Sequence, residues 1–307
     1  MARVFVTRRL PGTALERLCA EHQTEVWPER GPPSREELLR RAEWLEGLLS
    51  MLTDPVDAEL IEAAPALRAI SNYAVGTDNV DLEAASAREI PVGNTPDVLT
   101  ESTADLALAL MLGASRRLAE GDAYVRRGEW RTWEPDLLLG RDLHGATVGI
   151  VGLGRIGRAV ARRLEGFGCE LLSTTRSDGV ALEELLERSD FVTLHCPLTP
   201  DTRGLIDEEA LRRMQATAYL VNTARGPVVD TDALVRALQA GEIAGAALDV
   251  TDPEPLPADH PLLEAPGLLV LPHIASATHA TRERMAEMAV DNLLAGLAGK
   301  PMPNQAN

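Results

Sequence analysis

The sequence predicts an α/β fold: a doubly wound parallel sheet accompanied by a second, smaller α/β domain that is discontinuous in sequence. Three observations carry this. The run Val148-Gly-Ile-Val-Gly152-Leu-Gly154-Arg-Ile-Gly157 lies mid-chain, entered by an apolar β-type stretch and left by the helix-compatible Arg158-Ala-Val-Ala-Arg-Arg-Leu164. From there onward, short apolar runs alternate with helical stretches, the rhythm of a parallel sheet covered by helices on both faces. Residues 1–99 repeat that rhythm on a smaller scale.

In chain order, 4–6, 47–52, 67–71 and 90–92 read as strands of the smaller domain. Between the first two, Ser34-Arg-Glu-Glu37 ahead of Leu38 and Leu39 is a capping box that opens a helix. The stretch 100–117 is a long helix whose apolar residues (Ala104, Leu106, Ala107, Leu108, Leu110, Met111, Leu112) occupy nearly every side. A helix apolar all round is a buried one, here placed between domains or subunits. Residues 120–140, with Trp130 and Trp133 among charges, form the least regular region; large aromatics there suit an interface or lid, and surface packing equally. The larger domain's strands are 148–152, 170–175, 191–196, 219–223, 246–250 and 268–271. An amphipathic helix over 284–297 ends at Gly299-Lys300-Pro301. The domain assignment is therefore 1–99 and 283–307 for one domain, and 100–282 for the dinucleotide-binding domain between them. No internal repeat or low-complexity tract is visible.

Bulk properties bound the function. A chain of 307 residues with 45% hydrophobic content can bury sizeable cores in about two domains. No apolar run approaches the roughly 20 residues that span a bilayer, and Met1-Ala-Arg-Val-Phe-Val moves straight into a strand without a signal-peptide pattern, so a cytoplasmic location is expected. Cys19, Cys169 and Cys196 are odd in number and far apart, which argues against a disulfide framework and a zinc site; no metal is expected. A formal net charge of −17 disfavours nucleic-acid and anionic-membrane partners. An anionic substrate must then be met by local cations, nearly all of them Arg, since Lys300 is the lone lysine.

The glycine run has a physical reading. The first glycine permits a tight turn, the second lets the backbone approach a pyrophosphate, and the third lets helix and strand pack closely. The helix N-terminus then offers unpaired N–H groups to the anion. Gly152, Gly154, Arg155, Ile156 and Gly157 are accordingly the candidate phosphate residues.

Three polar residues each follow a strand of the central sheet and belong at its carboxyl edge: Arg225, Glu254 and His273. If the strand order is the usual doubly wound one, strands four, five and six are neighbours and the trio converges on one crevice. Arg can clamp a carboxylate and polarise the adjacent carbonyl. His can supply a proton to a new hydroxyl, with Glu raising its pKa and fixing its tautomer. That set suits reduction of a 2-oxo acid by hydride from a nicotinamide. Each residue alone is more often structural, and it is their joint placement that favours chemistry. His22, His144, His260 and His279 read as structural. His195-Cys196-Pro197 ends a strand at the same edge, and Pro197 points to a shaped backbone contact with cofactor.

The motifs Gly152-Leu-Gly-Arg-Ile-Gly157, His195-Cys-Pro-Leu-Thr-Pro-Asp-Thr-Arg203, Asn222-Thr-Ala-Arg-Gly226, Ala247-Leu-Asp-Val-Thr-Asp-Pro-Glu-Pro255 and Pro272-His-Ile-Ala-Ser-Ala-Thr278 resemble those of the D-isomer-specific 2-hydroxyacid dehydrogenase family, glyoxylate and hydroxypyruvate reductase branch. The resemblance covers nearly the whole chain. It implies a Rossmann domain and a smaller flavodoxin-like domain built from both chain ends. It also implies that Arg225, Glu254 and His273 are catalytic, and that in the 72–78 loop the N–H groups near Val75 and Gly76 hold the substrate carboxylate. Asp249 would face the nicotinamide carboxamide, and Ser276 would lie on the substrate side. Thr103, Cys196, Pro197, Thr202, Thr223 and Ala224 fall among its cofactor-binding positions. The family is usually a homodimer through the stretch after residue 100, with a Trp reaching the partner's site. Trp133 is the candidate, although Leu137 stands where related sequences often carry a further aromatic.

Cofactor choice turns on the end of the second strand, where an NAD enzyme usually places Asp or Glu about 20 residues past the glycines. Here the stretch is Ser173-Thr-Thr175-Arg176-Ser177, without a carboxylate, and Arg176 with Thr175 and Ser177 suits a 2′-phosphate. NADP(H) is the expected cofactor, with NAD(H) kept open by nearby Asp178. The expected function is reduction of glyoxylate or hydroxypyruvate to glycolate or D-glycerate. Two rival readings stand beside it: a broader D-2-hydroxyacid dehydrogenase using NADH with another 2-oxo acid, and a dinucleotide-sensing, corepressor-like binding protein.

Overall fold

A computed structural model describes all 307 residues, which divide into two compact units, Met1–Leu99 with Ala277–Asn307, and Thr100–Ser276. The first contains β1 (Arg3–Val6), α1 (Ala14–Glu21), β2 (Gln23–Val26), α2 (Arg35–Ala42), β3 (Gly47–Met51), α3 (Ala58–Glu62), β4 (Ala69–Tyr73), α4 (Leu82–Ala87) and β5 (Val92–Gly93). The second contains α5 (Thr100–Ser115), α6 (Leu118–Arg126), β6 (Thr147–Val151), α7 (Arg155–Glu165), β7 (Glu170–Thr174), α8 (Leu182–Arg188), β8 (Phe191–Leu194), α9 (Glu208–Arg213), β9 (Tyr219–Asn222), α10 (Thr231–Ala240), β10 (Gly245–Leu248) and β11 (Leu268–Val270). The chain then returns to the first unit with α11 (His279–Leu297). No helix is long and apolar enough to cross a membrane.

In the first unit the sheet is parallel with order β2-β1-β3-β4-β5, the flavodoxin-like order. Side chains alternate across it. Val4, Val6 and Leu49 face α1 and α11 through Leu18, Met285, Ala289 and Leu293, while Phe5, Leu48 and Ile70 face α2, α3 and α4 through Leu38, Ile61 and Ala85. Two apolar faces explain why these strands read as continuous hydrophobic runs. Strand β2 escapes sequence reading because it is an edge strand of Gln, Thr and Glu, at most half-buried. Ser34 does cap α2, its hydroxyl accepting from the Glu37 N–H at 3.2 Å.

Buried polar groups bind α11 into this unit. Ser71 Oγ donates to the Ala289 carbonyl at 2.8 Å, and Tyr73 OH donates to the Arg282 carbonyl at 2.6 Å. Burial pushes the Tyr73 phenol up to about 12. Asn292, fully buried, donates to the Asn94 carbonyl at 2.8 Å and accepts from the Asn304 N–H at 3.0 Å. The chain re-enters the first unit at Ala277, earlier than the 282/283 boundary expected from sequence. The reason is local: α11 starts at His279 behind the cap Thr278, and its polar first turn carries no amphipathic signal.

The second unit has a six-stranded parallel sheet of order β11-β10-β9-β8-β6-β7. Counted within the unit this is 2-1-3-4-5-6, so the order reverses beside β6, and strands four, five and six are neighbours. Val148, Ile150, Phe191, Val221 and Ala247 face α5 and α7, while Val151, Val192, Leu194, Leu220 and Leu248 face α8, α9 and α10. Helix α5 buries its main apolar face on the sheet of its own unit, through Ala104, Ala107, Leu110 and Met111. A wide apolar circumference reflects packing against both sheet and α7, to which Arg163 ties it through Asp105 at 2.7 Å. The region taken as least regular begins inside a helix, α6, which buries none of its residues; because nothing in the unit covers it, it shows no core-facing stripe.

Candidate active site

The glycine loop leaves β6 at Val151. Gly152 has φ of +95°, and a Cβ there would lie 2.7 Å from the Cys196 nitrogen, so the chain leaving β8 packs directly on it. A Cβ on Gly157 would meet the Gly152 carbonyl oxygen at 2.2 Å. These two glycines are required by the protein itself. Gly154 differs: it precedes α7, and no atom lies within 4 Å of where its Cβ would stand. That opening, in front of the N–H groups that Arg155 and Ile156 contribute to the first turn, fits a pyrophosphate. Thr103 is buried in the first turn of α5.

Beyond β7 the chain closes a small turn. The Thr175 N–H and hydroxyl both donate to the Asp178 carbonyl, at 2.8 and 2.9 Å, and the hydroxyl accepts from the Asp178 N–H at 2.9 Å. The Asp178 carboxylate accepts from the Gly179 N–H at 2.9 Å. Arg176 stands out from the turn, its side chain 94% exposed, with its guanidinium 3.7 Å from the Asp201 carboxylate.

The segment after β8 is braced internally. Thr202 Oγ1 donates to the Pro197 carbonyl at 2.7 Å and accepts from the Thr199 N–H at 2.8 Å, which shapes the loop carrying Cys196 and Pro197. Burial pushes the Cys196 thiol up. His195 lies between Thr193, 2.9 Å from its Nε2, and Thr223, 3.4 Å from its Nδ1. Desolvation pulls its pKa down to about 4, so the ring is neutral at pH 7.

Arg225, Glu254 and His273 follow β9, β10 and β11 on the same sheet edge. His273 Nδ1 is 2.6 Å from a Glu254 carboxylate oxygen, both side chains less than one-third exposed. This fixes the tautomer with the proton on Nδ1 and leaves Nε2 for chemistry. His273 has φ of +55°, a left-handed conformation that costs energy for a side chain of this kind. Asp249 holds it: the His273 N–H donates to the Asp249 carbonyl at 2.8 Å, and the carboxylate accepts from the N–H groups of Ile274 at 2.7 Å and Ala275 at 2.8 Å. Burial raises the Asp249 pKa, opposed by those two N–H bonds. Sequence reading placed Asp249 toward a nicotinamide, without its role in holding this turn. Ser276, 8% exposed, ends the same segment.

Arg225 is set by a residue that sequence reading quoted only within a motif. Buried Asn222 donates from Nδ2 to the Arg225 carbonyl at 2.9 Å and accepts the Ala224 N–H at 2.9 Å, folding residues 222–225 into a tight turn beside Thr223. An Asn followed by small residues at a strand end is the signal that could have identified it. In the first unit, Asn94 donates to the Val75 carbonyl at 2.8 Å and Asn72 to the Gly76 carbonyl at 3.0 Å, which holds the 72–78 turn by its carbonyls. Trp133 lies on the second unit's surface, 79% exposed.

A phosphate cradle sharing a sheet edge with an arginine and a hydrogen-bonded His–Glu pair defines the class: a nucleotide-dependent oxidoreductase. The comparisons resolve the family. Residues 108–275 match the model of the D-isomer specific 2-hydroxyacid dehydrogenase NAD binding domain. The chain is 51% identical to a glyoxylate reductase of Korarchaeum cryptofilum, over 99% of this chain and 96% of the relative. A solved structure of a protein from Thermus thermophilus is similar at TM-score 0.94 and 52% identity, covering 99% of this chain and 100% of that one. An NADPH-dependent glyoxylate/hydroxypyruvate reductase of Sinorhizobium meliloti, solved with NADP and malonate, is similar at TM-score 0.86 and 34% identity, covering 99% and 96%. The chain belongs to the D-isomer specific 2-hydroxyacid dehydrogenase family, in its glyoxylate reductase branch, and its cofactor is a nicotinamide dinucleotide.

Two outcomes follow from this geometry. Asp249→Asn keeps the size but offers one acceptor to two N–H groups; turnover should fall by about a hundredfold, the scale of a misplaced catalytic group. Steady-state kinetics checks this, and unchanged turnover would show that the turn stands without the carboxylate. The second concerns acid stability. A histidine whose folded pKa is about 4 against an ordinary 6.5 contributes stability fully present above pH 6.5 and lost as pH falls toward 4. The gap corresponds to about 3 kcal/mol. Urea denaturation across that window should show a shallower pH slope for His195→Asn than for the unaltered protein, and identical slopes would contradict the assignment.

Proposed function

We propose that the protein reduces glyoxylate or hydroxypyruvate to glycolate or D-glycerate, with NADPH as the preferred cofactor. The observation that carries the reaction is the His273–Glu254 pair, placed on the same sheet edge as the glycine loop. The bound dinucleotide supplies the hydride. Arg225 pairs with the substrate carboxylate and polarises the adjacent carbonyl. In the first unit, Val75 and Gly76 are the candidate substrate-binding residues. His273 releases its Nε2 proton to the carbonyl oxygen as it becomes a hydroxyl, while Nδ1–H stays on Glu254, which stabilises the imidazolium before transfer. Ser276 lies on the substrate side of this constellation, and Asp249 faces the carboxamide end of the cofactor. Gly152, Gly154, Arg155, Ile156 and Gly157 take the phosphates. Thr103, Cys196, Pro197, Thr202, Thr223 and Ala224 line the remaining cofactor contacts.

Support for NADPH comes from the absence of a carboxylate on Thr175-Arg176, and from the similar Sinorhizobium enzyme described as NADPH-dependent. The names of the similar relatives support glyoxylate as substrate. We also propose a homodimer. Leu118, Val125, Trp130, Trp133 and Leu139 are each more than half exposed and cluster in residues 118–139, an apolar surface suited to a second copy of the chain, with Trp133 directed to the partner's substrate.

Oxidation of NADPH and NADH, followed by absorbance with glyoxylate, hydroxypyruvate and pyruvate, should rank NADPH with the first two highest. His273→Ala should reduce turnover by about 10³-fold or more while NADPH binding persists, as expected for loss of the proton donor. Turnover that survives the substitution would remove His273 from the mechanism, and no turnover in any arm would favour the binding-protein reading. Light scattering should give twice the 33.1 kDa chain mass, and a Leu118→Asp, Val125→Asp variant should give the monomer mass. A monomer in the unaltered protein would contradict the dimer.

A further inference from the structure

The turn after β7 and the loop after β8 carry opposite charges toward each other. Arg176 follows β7, Asp201 follows β8, and β6 lies between those strands, so their pairing at 3.7 Å spans the carboxyl end of the strand that delivers the glycine loop. Both side chains are at least 74% exposed, so the pair is weak and readily exchanged for a stronger partner. Two other groups in the turn are committed: the Thr175 hydroxyl is spent on Asp178, and the Asp178 carboxylate accepts from Gly179. Arg176 is thus the cation a 2′-phosphate would meet, and Asp201 the carboxylate that occupies it beforehand. The Asp201 carboxylate beside Arg176 is unfavourable to a phosphate carrying close to two negative charges.

We propose that Asp201 is a cofactor-specificity residue. It competes with the 2′-phosphate for Arg176 and so lowers the preference for NADP(H) over NAD(H) that Arg176 alone would confer. Binding of a 2′-phosphorylated cofactor exchanges the Arg176–Asp201 pair for an Arg176–phosphate pair, whereas binding of the unphosphorylated form leaves the pair in place. This rests on the reading of Arg176 as the 2′-phosphate contact and adds to it the group that opposes it. The residue acts through Arg176 and through its own charge, and it touches neither substrate nor the transferred hydride.

The test uses equilibrium binding to the intact protein, with no turnover required. Calorimetric titration compares adenosine 2′,5′-bisphosphate with adenosine 5′-monophosphate, which differ only in the 2′-phosphate, on unaltered protein, Asp201→Asn, Arg176→Gln and the double variant. Asp201→Asn should tighten the bisphosphate about three- to tenfold at low salt, with the monophosphate changing less than about twofold, and the gain should shrink as salt rises. Part of the gain should vanish in the Arg176→Gln background, because Asp201 then has no cation to withhold. Retained monophosphate binding shows that each variant is folded. If Asp201→Asn leaves the ratio of the two affinities unchanged, or shifts both ligands equally, the proposal fails. The outcome is separable from the cofactor assignment: unaltered protein that favours the bisphosphate with no response to Asp201→Asn keeps the NADPH reading and overturns this one. Equal binding of both ligands by the unaltered protein, with a gain in Asp201→Asn, does the reverse.

Discussion

The Asp249 carboxylate is the constraint on which the reactive end of this site depends. It is buried, which disfavours its ionised form, yet it sits where two consecutive backbone N–H groups can only be satisfied by an acceptor of its shape. Those N–H groups belong to Ile274 and Ala275, immediately after a histidine in a left-handed conformation. Without them the segment would relax, and the imidazole would leave the direction in which Glu254 meets it at 2.6 Å. The Asp249 N–H in turn donates to the Asn222 carbonyl at 2.9 Å, and the Asn222 side chain folds the turn that carries Arg225. One hydrogen-bonded chain thus runs across the ends of β9, β10 and the segment after β11. The turns that carry Arg225 and His273 are held by bonds between buried side chains and backbone groups.

The neighbouring part of the edge is governed by close approach. Gly152 exists because the chain at Cys196 crosses it within van der Waals contact, and Gly157 exists because α7 begins against the Gly152 carbonyl. His195, beside that crossing, is held neutral by desolvation and fastened by Thr193 and Thr223. It resembles a catalytic histidine in sequence, at a strand end on the correct edge. Its surroundings make it a spacer between β8 and β9, and the contrast with His273 comes from partners: two threonine hydroxyls in one case, a carboxylate in the other.

Much of this was legible in the sequence, for physical reasons that differ by element. Buried parallel strands such as β6, β8 and β9 announce themselves because both faces are apolar. The glycine loop is legible because each glycine answers a steric demand, and Arg225, Glu254 and His273 because strand ends are marked by the runs that precede them. Strand β2 is silent because its side chains are polar at an edge. Helix α5 carries a wide apolar circumference because it packs on a sheet and on α7 at once. The start of α11 is hidden by a polar first turn whose cap, Thr278, is visible only once its hydroxyl meets the Thr281 N–H. Asn222 was legible only as part of a motif, since its work is done through its neighbours' backbone.

The strand order sets the spacing of the features along this sheet edge, in a chain of net charge −17. Neighbouring strands lie about 4.8 Å apart, so β6 and β9 are separated by about 10 Å and β6 and β7 by half of that. The glycine loop, where Gly154 opens onto the N-terminus of α7, occupies the middle at β6. Arg176 stands one strand to one side, and Arg225 stands two strands to the other. The register of the sheet sets the distance between the turns that carry these two guanidinium groups. The surplus negative charge then works as selection: an anion is accepted only where a helix terminus or a positioned guanidinium offsets the surrounding field. The two arginines differ in kind. Arg225 is partly buried on a turn that Asn222 fixes, whereas Arg176 is exposed on a turn braced by Thr175 and by the Asp178 carboxylate, and shares its charge with Asp201. Burial and hydrogen bonding are thus concentrated at the turn that carries Arg225, and exposure at the turn that carries Arg176.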